Sequence, residues 1–260
     1  MFAQLLGNPV IVIGLIVLVA AVIGAVMNAL ITARKAALTK ATMKPIMQAA
    51  IDGDIEQVTQ LLATGEDVDV KTALGDTSLM WAASNKRTEV ARLLIDEGAD
   101  INAQGDEKKT ALMRAIESGD TGIAKLLIEK GADLDIADAS QLTPLLYAAR
   151  EGDLEVAELL IEHGMVPSPP SILIAVVNSR TEVARLLIDK GADVNVATPD
   201  GDTALHHAVA KKNAEMVGLL IESGANLNVK DRFGNTPLRR ARVVTRDKAV
   251  TELLKQAGAK

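Results

Sequence analysis

His163, His206 and His207 are the only imidazoles in 260 residues, and the chain has no cysteine. Zinc chemistry needs such ligands to converge, as in H-E-x-x-H, where two histidines at i and i+4 share one helix face. His206 and His207 are adjacent, so on a helix they point to different sides. His163, in EHG, reads as an exposed residue of a helix's last turn, where partial positive charge is tolerated. Asp67/Asp69 and Asp133/Asp135 have the two-residue spacing of calcium-loop carboxylates, without the glycine and closing glutamate that complete such a loop. No G-x-S-x-G elbow presents a nucleophilic serine, and no G-x-x-x-x-G-K-[ST] loop cradles phosphate. The residues give no catalytic set, no metal site and no cofactor site, and they argue against an enzyme.

Charge is unevenly spread. The net charge is −6, yet residues 1 to 44 hold four cations and no acid, and residues 230 to 260 hold nine Lys/Arg against three Asp/Glu. The stretch between them, 45 to 229, therefore carries −16. Such a body is a poor nucleic-acid binder.

The first 33 residues have no ionisable side chain, and Val10 to Ile31 is 22 residues of nearly pure apolar character. As a helix it is about 33 Å long, close to the roughly 30 Å hydrocarbon core of a bilayer. A cleaved signal peptide needs a basic leader and a shorter apolar run, and neither is present. The expected organisation is a short non-cytoplasmic tail over 1–9, a transmembrane helix over 10–32, a basic juxtamembrane linker over 33–43 and a folded body over 44–260. Arg34, Lys35, Lys40 and Lys44 follow the span and none precede it, which places the body in the cytoplasm, with the periplasm as the alternative. Those four side chains are also candidates for contact with anionic headgroups. Within the span, Ala20, Ala21, Gly24, Ala25 and Asn28 form rows of small or polar residues. They fit either packing against another membrane helix or the ordinary abundance of small residues in such helices.

From residue 44 on, periodicity governs. Glycines recur at 65, 98, 131, 164, 191, 224 and 258, at intervals of 33, 33, 33, 27, 33 and 34. Apolar blocks such as VARLLIDEG, IAKLLIEKG and VAELLIEHG precede them, and TSLMWAA, TALMRAI, TPLLYAA and TALHHAV stand further upstream. Thr caps a short first helix, and Pro suits its first turn. The Val-Leu-Leu-Ile face of the second helix needs a neighbour to cover it, and the glycine ends that helix in a left-handed conformation. Neither helix can bury its apolar face alone, so stacking is obligatory.

On these motifs and this period the chain resembles the ankyrin repeat family, over residues 44 to 260. The resemblance implies an all-α ankyrin-repeat solenoid of about seven helix-turn-helix units with short β-hairpin-like fingers, beside the one N-terminal transmembrane helix. The units fall near 44–71, 72–104, 105–137, 138–164, 165–197, 198–230 and 231–260, the first and last resembling caps. NKRTEVARLLIDEGADINA and NSRTEVARLLIDKGADVNV share 15 of 19 residues, which suggests duplication of a block. The family's T-P-L-H is never intact. His206 alone keeps the histidine that braces neighbouring loops, and Met47, Met80, Met113, Leu146, Leu173 and Arg239 replace it elsewhere. Weaker polar bracing and more apolar packing between units are expected.

The resemblance also implies protein binding on a concave face, through finger tips and the exposed side of first helices. The position after the family's histidine gives a column of candidates: Gln48, Trp81, Arg114, Tyr147, Ile174, His207 and Arg240. Trp, Tyr and Arg are enriched at binding hot spots, although aromatics here serve equally as packing. Phe233, in the tip KDRFGN, is a further candidate. Arg239, Arg240, Arg242, Arg246 and Lys248 read either as the polar outer face of a cap or as a site for an acidic partner or anionic headgroups. The function expected is a membrane-anchored protein-interaction scaffold binding a membrane protein or complex. The alternatives are an accessory subunit held by its transmembrane helix, and an immunity or stress-protection protein.

One stretch breaks the period. In EHGMVPSPPSILIAVV, aligning backwards from Gly191 sets Pro170 where Thr143 stands in the unit before, so residues 165–169 replace the eleven from Ala132 to Leu142. A finger is missing between two complete helix pairs. That is either a harmless loop deletion or space that a partner needs.

Overall fold

An upstream Thr and a capping Asp set where the helices of most repeats begin, and the computed structural model shows the result. It describes the backbone from residue 9 and side chains from residue 21 to residue 260. The expected 1–9 tail, apart from residue 9 itself, and the side chain of Ala20 lie outside the described residues.

The first helix, α1, runs unbroken over Pro9–Thr42. There is thus no separate linker over 33–43; the basic segment is the helix's last turns. Seven helix pairs follow: α2 Pro45–Asp52 with α3 Ile55–Ala63, α4 Ser78–Ser84 with α5 Thr88–Asp96, α6 Ala111–Ser118 with α7 Thr121–Glu129, and α8 Pro144–Glu151 with α9 Leu154–Glu162. Then come α10 Pro169–Val177 with α11 Thr181–Asp189, α12 Ala204–Ala210 with α13 Ala214–Glu222, and α14 Pro237–Arg239 with α15 Lys248–Gln256. Each second helix is capped where the sequence offers a cap. Asp54, Asp120, Asp153, Asn213 and Asp247 each accept an N–H three residues on, at 2.9–3.0 Å. Such caps contribute about 1 kcal/mol each.

The small residue of each first helix explains the close approach of its neighbours. Ala49, Ala82, Ala115, Ala148, Ala175, Ala208 and Ala241 are all fully buried. The apolar residues of the second helices, among them Val90, Ile123, Val156, Val183 and Val250, close the same continuous core.

The expected hairpin-like fingers are five-residue turns over 72–76, 105–109, 138–142, 198–202 and 231–235. Each is closed by an N–H of its first residue donating to the carbonyl of its last, as in Thr72 to Asp76 at 3.0 Å. The chain forms no strand among the described residues; a single antiparallel bridge joins Ala197 and Thr203. The fourth turn position is left-handed throughout, so Gly75, Gly201 and Gly234 fit it, while Lys108 and Gln141 adopt it at φ 57° and 64°.

Polar bracing between units does not depend on the family's histidine. A second device recurs four residues after Gly65, Gly98, Gly191 and Gly224. Asp69, Asn102, Asn195 and Asn228 accept the N–H of Asp100, Asp133, Asn226 and Lys260 in the next unit at 2.8–3.1 Å. These rungs correct the expectation of weak bracing. They were hidden in the Asp/Asn that the sequence reads as turn residues.

The rungs stop at one seam. Asp135 accepts no N–H from the link after it, and Ser168 accepts none from Asp193 in the link beyond, because the chain there is MVPS rather than an Asp/Asn-rich link. The proline stretch also starts its helix earlier than the alignment sets it. Ser168 is the N-cap and Pro169-Pro170 fill the first two helical positions, where the missing N–H groups would have had no helical partner.

Candidate functional site

The concave column lies on the first helices, beside the fingers. Its seven members do not share one environment. Gln48 is exposed, Trp81, Arg114, Ile174, His207 and Arg240 are half-buried, and Tyr147 is completely buried. Tyr147 therefore cannot meet a partner as a surface hot spot, a correction to the sequence reading. Its hydroxyl donates to Asp138 Oδ2 at 2.8 Å, and Arg150 stacks on its ring at 4.4 Å. Burial, then the Asp138 carboxylate, pushes its phenol well above the usual tyrosine range.

The two arginines are also turned inward. Arg114 Nη2 donates to Asp76 Oδ1 at 2.5 Å and lies over the Trp81 ring at 5.9 Å. Arg240 Nη2 bridges Asp202 Oδ1 at 2.7 Å and Asp231 Oδ2 at 2.5 Å. Burial would raise the Asp231 carboxyl. The N–H of Asn235, the Arg240 guanidinium and the N–H of Phe233 outweigh it and hold the group well below the usual carboxylate range. Arg114 and Arg240 thus fix fingers to helices, and their first partners are the protein's own carboxylates.

His206 does what the family resemblance implies. Its Nδ1 accepts from Thr203 N–H at 3.2 Å, and its Nε2 faces the Asn235 carbonyl of the next finger at 3.1 Å. Burial lowers the affinity of this ring for a second proton. Asp202, His206 and Asp231 lie close enough together to be compared with a metal cage. Arg240 sits between the two carboxylates, and the imidazole is committed to Thr203 and Asn235, so the donor set is already used. Neighbouring His207 is different: burial lowers its pKa too, and its Nε2 is buried without a hydrogen-bond partner.

Phe233 is the most open of the candidates. It stands 69% exposed at its finger tip with the Arg232 guanidinium 4.7 Å from its ring. Arg232 is held in turn by Asp200 of the preceding finger at 2.7 Å.

At the other end the site contains a participant that sequence reasoning placed elsewhere. The last turns of α1 lie against the first fingers. Lys35 Nζ donates to both carboxylate oxygens of Asp106 at 3.0 and 3.1 Å and reaches Glu107 at 3.4 Å. The Asp106 carboxylate raises its affinity for the proton. Thr42 Oγ1 accepts the N–H of Ala73 at 3.0 Å. Two clefts of about 480 and 430 Å³ form between α1 and the repeats, and Trp81 borders both. Lys35 is thus committed to a finger rather than free for headgroups, whereas Arg34, Lys40 and Lys44 are exposed. Ala21, Gly24, Ala25 and Asn28 are exposed on α1, and the stretch Ala21–Thr42 is long and apolar enough to cross a membrane, with none of it buried. The acidic pair in GDEKKT was the signal for the Lys35 contact; only the fold reveals which cation it meets.

Comparison with known proteins agrees with this architecture. A family model described as "Ankyrin repeats (3 copies)" matches residues 18–105, 46–138, 97–171 and 172–260. The human ASB11 ankyrin repeat domain superposes with a TM-score of 0.75 at 25% identity, covering 84% of this chain and 99% of that one. The ankyrin repeat domain of Bcl-3, an IkappaB family member, gives 0.67 at 27% identity, covering 82% and 98%. No curated protein sequence matches the chain.

Proposed function

The chain belongs to the ankyrin repeat family, a protein-interaction fold that is generally non-enzymatic, and from that premise we propose that it is a membrane-tethered binding scaffold. The apolar part of α1 enters the bilayer, and the solenoid presents its concave face to a protein held at the same membrane. One observation carries this reading. An exposed apolar helix runs without a break into turns that are tied to two fingers by Lys35 and Thr42. A flexible tether would leave the repeats free to tumble; this junction fixes their orientation and raises their effective concentration at one surface.

On this reading the partner meets Trp81, Ile174, His207 and Phe233, the candidates not consumed by internal ion pairs. Tyr147, Arg114 and Arg240 shape that face from behind. The excess of cations after the span and their absence before it favour a cytoplasmic solenoid. An acidic body, −16 over residues 45–229, favours a partner with a basic surface.

The test is photo-cross-linking in intact cells from a reactive residue at Phe233, followed by carbonate extraction of membranes. The chain should stay with the extracted membrane and carry one recurring membrane protein. Release by carbonate refutes the anchor. An anchored chain that repeatedly cross-links to nothing refutes the interaction surface. Orientation is read separately from Ser140→Cys, an exposed finger position in a chain without cysteine. Labelling by an impermeant thiol reagent in intact cells would place the solenoid outside the cytoplasm.

A further inference from the structure

The last unit departs from its neighbours in a way that stacking does not explain. Between Thr236 and Asp247 it has one residue more than the preceding unit has between Thr203 and Asn213. The extra residue is absorbed as a π-helical turn over Arg240–Thr245, ending at Arg246 with φ 53°. Such π-turns are uncommon and recur at functional sites. Val243 and Val244 stand 62% and 65% exposed in this turn, at positions where the preceding unit exposes Ala210 and Lys211. Around them Arg239, Arg242, Arg246 and Lys248 are all exposed, and none forms an ion pair among the described residues, whose contacts in this unit are made by Arg232, Arg240 and Lys255.

Residue types say what this face is not. Arg239 and Arg242 stand where the unit before has His206 and Val209, both buried. Arginine at both positions is unsuited to covering by a further repeat. A solubilising polar face would account for the cations, but not for two bare valines in their midst. Apolar side chains ringed by Lys and Arg match the headgroup boundary of an anionic bilayer, where the cations meet phosphates and the apolar tips enter the acyl edge.

The direction of α1 supplies the second argument. Thr42 touches the finger at Ala73, while Lys35, about 10 Å nearer the N-terminus along the helix, touches the next finger at Asp106. Traced toward its N-terminus, α1 therefore runs along the finger row toward the later units. Its apolar run ends at Ile31, one turn beyond Lys35. The end of α1 that enters the bilayer therefore points toward the later units rather than away from them.

We propose that the face made by Val243, Val244, Arg239, Arg242, Arg246 and Lys248 is a second membrane contact that lays the far end of the solenoid on an anionic lipid surface. Its placement rests on the anchor reading given above; its chemistry does not. With both ends attached, the solenoid is held against the bilayer at two points.

The experiment uses the full chain with Val244→Cys carrying a nitrobenzoxadiazole label, reconstituted into vesicles of phosphatidylcholine alone or mixed with phosphatidylglycerol. The label should brighten severalfold and shift to the blue only with the anionic lipid. Salt should reverse the response. Neutralising Arg239, Arg242 and Arg246 to Gln should weaken it by about fivefold per cation. Equal emission on both vesicles overturns the inference, as does brightening on phosphatidylcholine that grows with protein density, which would mean contact with a second copy. Flotation of the same vesicles reports on the anchor separately. A chain that does not float refutes the anchor alone, and its response to added anionic vesicles then decides the inference by the same criterion.

Discussion

Units one to four and units five to seven are built from the same helices but differ in how charged and imidazole side chains brace their fingers. Both blocks join neighbouring fingers through the backbone, Ala139 N–H donating to the Glu107 carbonyl in the first and Arg232 N–H to the Asp200 carbonyl in the second; the first adds a carboxylate, Asp106 N–H donating to Asp76. The ion pair of the first block's column, Arg114 with Asp76, involves one carboxylate. In the second block, Arg240 holds two carboxylates while His206 spans to the next finger. Between the blocks lies the proline link, with no finger and no rung. Across it the contacts are the apolar faces of α8 and α10, the packing of α9 against α11, and a single polar bond, from Arg180 Nε to the Arg150 carbonyl at 3.0 Å. The difference teaches that the column after the histidine position is written to suit the fingers. Arg114, Tyr147 and Arg240 each meet a finger carboxylate, whereas Trp81 and His207 leave a ring nitrogen without a partner, and Ile174 stands beside the seam, where there is no finger.

The largest effect should separate the two blocks at once. Arg240→Ala leaves Asp202 and the buried Asp231 without their cation and should cost about 3 kcal/mol, read as early urea unfolding of units six and seven by hydrogen exchange. Arg114→Ala strands only Asp76, which keeps the Asp106 N–H, and should cost roughly half as much. Equal losses would break the contrast between the blocks. At the seam, Gly152→Ala attacks the one polar bond. Gly152 has φ 83°, and a Cβ there would lie 2.6 Å from Arg180 Cδ. A destabilisation of about 1–2 kcal/mol is expected, with units four and five separating in hydrogen exchange before either block opens.

Much of this is legible in the sequence, for a physical reason. Helix pairs are local: Thr or Asp caps, small Ala and a 3.6-residue apolar face lie within one unit, so Ala49 and its six counterparts read as buried contacts from motif and spacing alone. The bracing is not legible. Asn102 in GADINA looks like a turn residue, and its acceptor role depends on a neighbour 31 residues away. Tyr147 illustrates the same limit. Its type suggests a hot spot, but the buried carboxylate of Asp138 draws its hydroxyl inward. Lys35 reads by its neighbours along the chain, all suited to a membrane surface, while its partner comes from a finger 71 residues on.

A gentler way to sharpen the contrast is acid. His206 and His207 have lowered pKa values in the fold, first because of burial, so the unfolded chain binds their protons more readily. Their contribution is whole above the unfolded value of about 6.5 and is lost as pH falls below it. Asp231 has the same sign further down, losing its contribution only below the ordinary carboxylate range. Both groups belong to units six and seven. Lowering pH from neutrality should therefore loosen the second block while the methionine-bearing first block keeps its protection, as followed by exchange at each pH. Uniform loss across the chain would remove the distinction.

The smallest energetic effect is expected at Lys35, and it is the most informative about orientation. The pair with Asp106 and Glu107 is solvent-screened, and at 39% exposure Lys35 contributes well under about 1 kcal/mol to unfolding. Lys35→Glu should thus leave the urea midpoint of the first block almost unchanged. It places like charges where two acidic side chains of a finger stood paired, so the last turns of α1 should lift from that finger while Thr42 keeps its bond to Ala73. A spin label at the exposed position Ala33 would report increased motion. Lys35→Arg should restore order by offering the same charge to the same two carboxylates. If the reversal leaves the label as ordered as before, apolar contact around Trp81 and Met43 holds the helix, and the ion pair only decorates a junction fixed by packing.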